Sequence, residues 1–476
     1  MYYLYKTPLM QEKNIRKIVR QILYESYIDG LSNDEFSFDM PVDNVSKTEM
    51  WNIQNTLAGH GFQMYIVGGA VRDSVKNAIK IQKNPMDTTT DTPKDFDLVT
   101  DAMPNDIFSM FKNAPFISNI LNIGEAFAIQ FLVTKSGNEY ELATFRKDVG
   151  SGRRPDSVEY LSSPAEDAKR RDLTINSLFF KIDRLTENGF FGSVLDFTGG
   201  VEDIKNNVIK TVGDANERFG EDPLRKLRAI RFAAKMGSEI PKDVKDAIKK
   251  DGTSLRSFSG DIVSAERIRD EFFNGILSAK STVNFLTLLY DLGFFKHIFE
   301  NLSVNTNLFY EEKHPYMLIA NILQDNEIES VNKVLTRRSY SNIEKNFITF
   351  LIKLVNINNE NVIDIANDYK QRIYNRFIGV KKKKFVISKK ELHKFAQLNH
   401  IDKLKIDNMV KLATEFDQKS VSTLLASMGY REGIDFGVAI KRIKQEFFKN
   451  PDKVKSLIDK GDTESIKNII LIQRDS

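Results

Sequence analysis

The chain has 476 residues, 41% hydrophobic and 28% charged, which excludes a disordered protein and predicts two to four folded domains. Cysteine is absent and no two of the five histidines are spaced i, i+4. Disulfides, thiolate sites and a histidine-built metal centre are therefore excluded, and any metal should be a hard cation held by carboxylates. No apolar run approaches the ~18 residues of a membrane span, and Met1–Lys13 lacks a signal pattern, so a cytoplasmic protein with no membrane contact is expected.

Helical spacing from Gln11 to Tyr27, followed by the acidic stretch Asp29–Asp43, predicts an N-terminal extension of helix plus linker over residues 1–50. From Trp51 to Asp196, short strand-like runs alternate with helical ones. Met64–Val67, Phe96–Val99, Phe127–Val133, Glu139–Phe145 and Leu178–Ile182 are the expected strands. Beyond Gly199 the strand signals stop and amphipathic helical stretches take over. The expected class is α+β: a mixed-sheet head over 51–200, then a helical neck (201–280) and a helical body and tail (281–476). Between Lys381 and Lys405 nine lysines face two acids, Glu391 and Asp402. That run suits either an ordinary solvated helix or a surface for RNA phosphates.

Two segments carry chemistry by themselves. In Met64-Tyr-Ile-Val-Gly-Gly-Ala-Val-Arg-Asp73 an apolar strand meets Gly68 and Gly69 before a helix begins. Residues without side chains let a phosphate reach the N–H groups at the helix start. In Lys94-Asp-Phe-Asp-Leu-Val-Thr100, Asp95 and Asp97 lie two apart, so on a strand they share a face. Adjacent ionised carboxylates repel unless a cation lies between them, which asks for Mg²⁺. Glu141, on a later strand, could join them.

Further segments are Lys169-Arg-Arg-Asp-Leu-Thr-Ile-Asn-Ser177, Leu195-Asp-Phe-Thr-Gly-Gly-Val-Glu-Asp203, Gly220-Glu-Asp-Pro-Leu-Arg-Lys-Leu-Arg-Ala-Ile-Arg-Phe232 and Ser264-Ala-Glu-Arg-Ile-Arg-Asp-Glu271. Together with the glycine corner and the carboxylate pair, in this order, they resemble class II CCA-adding enzymes and the related bacterial poly(A) polymerases over about residues 51–275. The resemblance implies a polymerase-β-like nucleotidyltransferase head. It implies catalytic, Mg²⁺-binding roles for Asp95 and Asp97, with the triphosphate at Gly68, Gly69 and Arg72. Ribose and phosphates would fall to Arg171 and Asp172, supported by Asn176. Pro223 suits the first turn of a helix, so Asp222 and Arg225, three apart, are expected to share a helix face and read the incoming base, with Arg228 a further basic position.

The implied reaction is addition of CCA, or part of it, to the 3′ end of tRNA from CTP and ATP. The alternatives are CC addition alone and poly(A) synthesis on other RNA 3′ ends. Gly124-Glu-Ala-Phe-Ala128 lacks the basic pair expected of the poly(A) branch, and Ser264–Arg267 is nearer the CCA branch. Two departures stand out: the polar insert Lys80–Pro93, and the shortness of Arg146–Gly152, where the family carries a longer loop linked to the switch from C to A. No protein partner is indicated.

Overall fold

A computed structural model of the chain describes residues 36–85, 92–122, 129–149, 157–160, 163–250, 254–370, 389–431 and 433–471. The expected helix at Gln11–Tyr27, the centre of the insert, the segment Gly124–Ala128 and the lysines Lys381–Lys384 lie outside these residues. The chain divides into two compact units, Met1–Val263 and Ser264–Ser476.

The first unit is built on one eight-stranded sheet. Its strands are β1 (Phe36–Pro41), β2 (Met64–Val67), β3 (Asp97–Thr100), β4 (Ile117–Asn122), β5 (Ile129–Thr134), β6 (Glu139–Thr144), β9 (Leu178–Thr186) and β10 (Gly189–Asp196). The order is β1-β10-β9-β2-β3-β6-β5-β4, and only β3 and β6 run parallel, so the sheet is mixed as expected. A separate two-stranded ribbon pairs β7 (Arg146–Val149) with β8 (Ser157–Tyr160). The stretch expected as a short loop from Arg146 therefore starts as a strand.

Phe36–Pro41 was expected to be linker, but it pairs antiparallel with β10 at the edge of the head sheet. Helix α1 (Asn44–Gly59) follows at once, capped by Asp43, whose carboxylate accepts from the N–H groups of Val45 and Ser46. This helix crosses position 50, so the segment from Phe36 onward is continuous with the head. It is fastened by the buried Glu49, which accepts from Ser136 Oγ (2.6 Å), Asn138 Nδ2 (2.8 Å) and Tyr140 Oη (2.9 Å) around the β5–β6 turn. Burial pushes the Glu49 pKa up, but these hydrogen bonds outweigh it and hold the carboxyl below the usual glutamate range.

Helices α2 (Gly69–Lys83), α3 (Pro104–Phe111) and α4 (Pro164–Lys169) lie between strands in the chain, and α5 (Gly200–Lys205) follows the last of them. The first unit then continues through α6 (Ala215–Glu221), α7 (Leu224–Met236) and α8 (Lys242–Lys249). The second unit is helical throughout its described residues, as the amphipathic pattern predicts. In its helix Lys389–Leu398, Lys389 pairs with Asp407 at 2.7 Å and Lys394 with the buried Glu312 at 2.9 Å. Two lysines of the run are thus engaged within the fold. No described helix is long and apolar enough to cross a membrane.

Replacing Glu49 by Gln turns an NH₂ group toward donors that need an acceptor, and should cost about 1–3 kcal/mol by urea unfolding. Because the folded pKa is depressed, the carboxylate's contribution is full above the pKa of an unfolded glutamate. It is lost as pH falls below about 4.3. The gap between wild type and variant should therefore narrow in acid.

Candidate active site

The glycine corner lies at the centre of the sheet. β2 is buried at all four positions, and α2 turns its stripe Ala70, Val71, Ser74, Val75, Ala78 and Ile79 onto the head. Gly68, between them, adopts φ 72°, a conformation that residues with a side chain rarely take. The corner is also tight: a Cβ on Gly68 would sit 3.0 Å from Asp97 Oδ2, so the carboxylate would have to give way by a few tenths of an ångström. The two sequence signals thus meet in one place, with the Asp97 carboxylate directly over the glycine turn.

The hydrogen-bonded ladder of β3 begins at Asp97, which pairs with Val67 on one side and Glu141 on the other. Asp95 precedes the ladder. The alternation nevertheless extends back to it, with Asp95 and Asp97 exposed and Phe96 buried between them. The carboxyl of Asp97 opens to solvent, yet its surroundings raise its pKa. Burial acts first, Asp95 adds to it, and the nearby Arg171 opposes it. Burial and the charge of Asp97 likewise raise Glu141. No described lysine or arginine forms an ion pair with Asp95 or Asp97. Among the described residues no three acidic or histidine side chains converge as a metal cluster, so Glu141 does not complete a triad. Two carboxylates with the remaining positions left to water and phosphate suit a small hard cation that keeps part of its hydration shell.

The other expected site residues form a connected network behind the corner. Arg72 is buried on α2. It donates to both oxygens of Asp73 (2.8 and 2.9 Å) and through Nη1 to Asn176 Oδ1 at 2.7 Å. Asn176, in a short 3₁₀ turn (Thr174–Asn176), donates through Nδ2 to Asp172 Oδ1 at 3.4 Å. The other oxygen of Asp172 accepts from Arg228 on α7, from both Nε and Nη2 at 2.6 Å. Burial works to raise the Asp172 pKa, but Arg228 and the backbone N–H of Leu173 keep it below the usual range. Arg171 donates to the Asn176 carbonyl at 3.3 Å, and its guanidinium lies 4.9 Å from the Phe179 ring centre. Phe232, on α7, has the guanidiniums of Arg72, Arg228 and Arg231 at 5.0, 5.7 and 4.2 Å from its ring centre.

Asp222 and Arg225 are arranged differently from the expected shared helix face. α7 starts at Leu224, and Asp222 stands before it in an extended conformation, φ −135° and ψ 100°. A turn joins the two, with Arg225 N–H donating to the Asp222 carbonyl at 3.0 Å. The Asp222 carboxylate caps the helix start through Leu224 N–H at 3.1 Å. Arg225 donates through Nη1 to Glu221 (2.7 Å) and the Arg218 carbonyl (3.4 Å), and through Nη2 to the Arg170 carbonyl (3.1 Å).

Two anchors have no counterpart among the expected site residues. Glu221 holds both Arg218 and Arg225. Asp167 is fully buried in α4 and accepts from Arg170 (2.8 Å) and Arg171 (3.0 Å). Burial raises the Asp167 pKa less than the two arginines lower it. Asp167 lies in none of the motifs, and Glu221 lies in the Gly220–Phe232 segment without a role expected of it. The only signal was a carboxylate three or four residues from an expected site arginine, the spacing of neighbours on a helix.

Comparison with known proteins gives matches in both sequence and fold. Residues 64–210 match the poly A polymerase head domain, and residues 238–305 match the probable RNA and SrmB-binding site of polymerase A. CCA-adding enzymes are similar in sequence: that of Leuconostoc mesenteroides at 34% identity across 48% of this chain and 50% of its own, and that of Bacillus subtilis at 37% across 45% and 46%. The chain spans about half the length of the curated relatives it matches. The fold is shared more widely. The CCA-adding enzyme of Bacillus stearothermophilus in complex with CTP aligns with a TM-score of 0.56 at 23% identity, covering 88% of this chain and 98% of that one. The Thermotoga maritima enzyme complexed with tRNA aligns with 0.55 at 19% identity, covering 87% and 95%.

Removing Asp167 leaves two arginines without their counter-charge. Asp167→Ala should lower stability by about 3–5 kcal/mol, and Asp167→Asn by less, both read from urea unfolding midpoints.

Proposed function

We infer that this chain, which resembles class II CCA-adding enzymes and bacterial poly(A) polymerases through its head and neck, adds CCA to the 3′ end of tRNA from CTP and ATP without a nucleic-acid template. The observation that carries the reading is the Asp97 carboxylate lying over the Gly68 turn, with Asp95 beside it. A triphosphate at the Gly68–Gly69 corner would bring its α-phosphorus next to that pair. The RNA 3′-hydroxyl attacks this phosphorus, the bond to the β-phosphate breaks, and pyrophosphate leaves. Asp95 and Asp97 would hold a divalent cation, read here as Mg²⁺, which would supply charge neutralisation and alignment for the displacement. A cytoplasmic location fits a chain without cysteine that acts on tRNA.

The network behind the corner orders the remaining roles. Arg72, Arg171, Asp172, Asn176 and Arg228 hold one another, so ribose and phosphates would meet a surface already in position. Base choice falls to Asp222 and Arg225. Cytosine and adenine each present an exocyclic amino donor beside a ring-nitrogen acceptor, matching Asp and Arg. Uracil and guanine present a carbonyl beside a ring N–H and mismatch at both positions, a difference of several kcal/mol when water is excluded. Arg225 suits this role because Glu221 and two carbonyls take three of its five N–H donors and fix the fork, leaving two to point at a base.

With tRNA lacking its 3′ CCA, supplied with CTP and ATP, the product should be three nucleotides longer. A stop after two cytidines would identify a CC-adding enzyme, and long A tails on unrelated RNA a poly(A) polymerase. Asp97→Ala should reduce kcat by about a hundredfold or more while RNA binding is retained, since alignment and not affinity is removed.

Arg225→Ala should lower the rate with CTP and ATP and raise relative use of UTP and GTP. Single-nucleotide incorporation assays measure those ratios. Unchanged ratios would remove Arg225 from base reading.

A further inference from the structure

An aromatic side chain that no motif marks stands beside the base-reading turn. Phe258 is 71% exposed, unusual for its size, and Ile262 nearby is 67% exposed. Exposure here does not come with looseness. Phe258 N–H donates to the Gly220 carbonyl at 2.7 Å, and one side of the ring covers Gly220 so closely that a Cβ on that glycine would run into it. Gly220 is two residues before Asp222 and next to Glu221, the anchor of Arg225.

The segment carrying Phe258 is a braced hairpin. Arg256 and Ile262 bridge antiparallel, and Val263 N–H donates to the Leu255 carbonyl at 3.0 Å. Ser257 N–H donates to the Asp261 carbonyl at 2.9 Å, and Asp261 N–H returns a bond to Ser257 Oγ at 3.0 Å. Arg256 Nη1 donates to the Gly260 carbonyl at 2.7 Å, and Lys226 of α7 reaches the Ser254 carbonyl at 3.2 Å. Leu255 and Val263 are buried at its foot. Such bracing fixes a large apolar ring in water with little gain from burial, which makes sense when the ring's other face receives a ligand.

We propose that Phe258 is a stacking platform for the terminal base of the RNA 3′ end, held in register with the base-reading turn through Gly220. The proposal rests on the nucleotidyltransferase reading above. The choice of the RNA end over the incoming nucleotide follows from what each requires. The incoming base must be discriminated, which needs hydrogen bonds to its edge, and Asp222 and Arg225 offer those. The RNA end changes identity at every addition, so it needs a contact every base can make. An aromatic face is such a contact, because every base has a π-face. Arg256, exposed on the same hairpin, places a cation where the adjoining phosphate would run.

The test compares Phe258→Ala, Phe258→Leu, Phe258→Tyr and Phe258→Trp in steady-state extension of a tRNA lacking CCA, with RNA affinity measured separately by fluorescence anisotropy without nucleotide. Ala and Leu should raise KM and Kd for RNA by about five- to a hundredfold, with KM for CTP within twofold of wild type. Tyr and Trp should restore RNA binding. Gly220→Ala, which displaces an intact ring, should reproduce the Ala phenotype. Unchanged RNA affinity in Phe258→Ala, rescue by Leu, or a rise confined to KM for CTP would each overturn the platform. Failure of the wild-type protein to extend any RNA would instead sink the nucleotidyltransferase reading, and the anisotropy comparison would still decide whether Phe258 binds an RNA end.

Discussion

The ion pair of Asp172 with Arg228 is the tie on which the arrangement of the candidate site depends. Asp172 belongs to the segment that leads into β9, and Arg228 to a helix more than fifty residues later. Both Arg228 nitrogens engage one oxygen of Asp172, while the other oxygen accepts from Leu173 N–H and Asn176. A partly buried pair contributes little through attraction alone, because both groups first lose their water. Its value here is geometric. With Asp172 fixed, Asn176 is oriented, and Asn176 in turn orients Arg72 on the helix after the glycine corner. One charge pair thus relates the glycine corner to the helix whose first turn follows Asp222.

That chain of contacts separates two kinds of charge. The arginines are neutralised inside the protein by Asp73, Asp167, Asp172 and Glu221, and several also lie over Phe179 or Phe232. The carboxylates at the corner are left without ion pairs to described residues, and the pKa values of Asp97 and Glu141 are raised rather than lowered. The folded protein therefore meets the cost of its buried cations internally. The open demand for positive charge remains beside Asp95 and Asp97, where a bound cation would meet it and an anion alone would be repelled.

How much of this was legible in the sequence depended on whether a residue's reason is local. Gly68 and Asp97 were readable because each sits in a short contiguous motif, a glycine ahead of an amphipathic helix and a carboxylate pair on an apolar run, whose sense needs no distant partner. The strands Met64–Val67 and Glu139–Thr144 were readable from their runs of apolar and alternating residues. Glu49 was not, because a single acid on an amphipathic helix looks like surface until Ser136, Asn138 and Tyr140 arrive from the far end of the head. β1 was hidden for the same reason: Phe36–Pro41 sits next to an acidic stretch, and its partner β10 lies some 150 residues onward. The shared helix face assumed for Asp222 and Arg225 failed on one residue of phase. Pro223 takes the position before the helix, and Asp222 becomes the extended residue that caps it.

That last displacement bears on how the base could be read. Two side chains on one helix face are separated by a fixed rise and move with the helix as a unit. Here the acid is carried by an extended residue between α6 and α7, and the arginine by the first turn of α7. Each is secured by different bonds: Asp222 by the helix N–H it caps, and Arg225 by Glu221 and the Arg170 carbonyl. The Arg170 carbonyl belongs to the same segment as Arg171 and Asp172, so the donor of the pair is referenced to the phosphate side of the site. The acceptor is referenced to α7. A base fitted between them would meet an acceptor and a donor that are both carried at the start of α7 but secured to different partners.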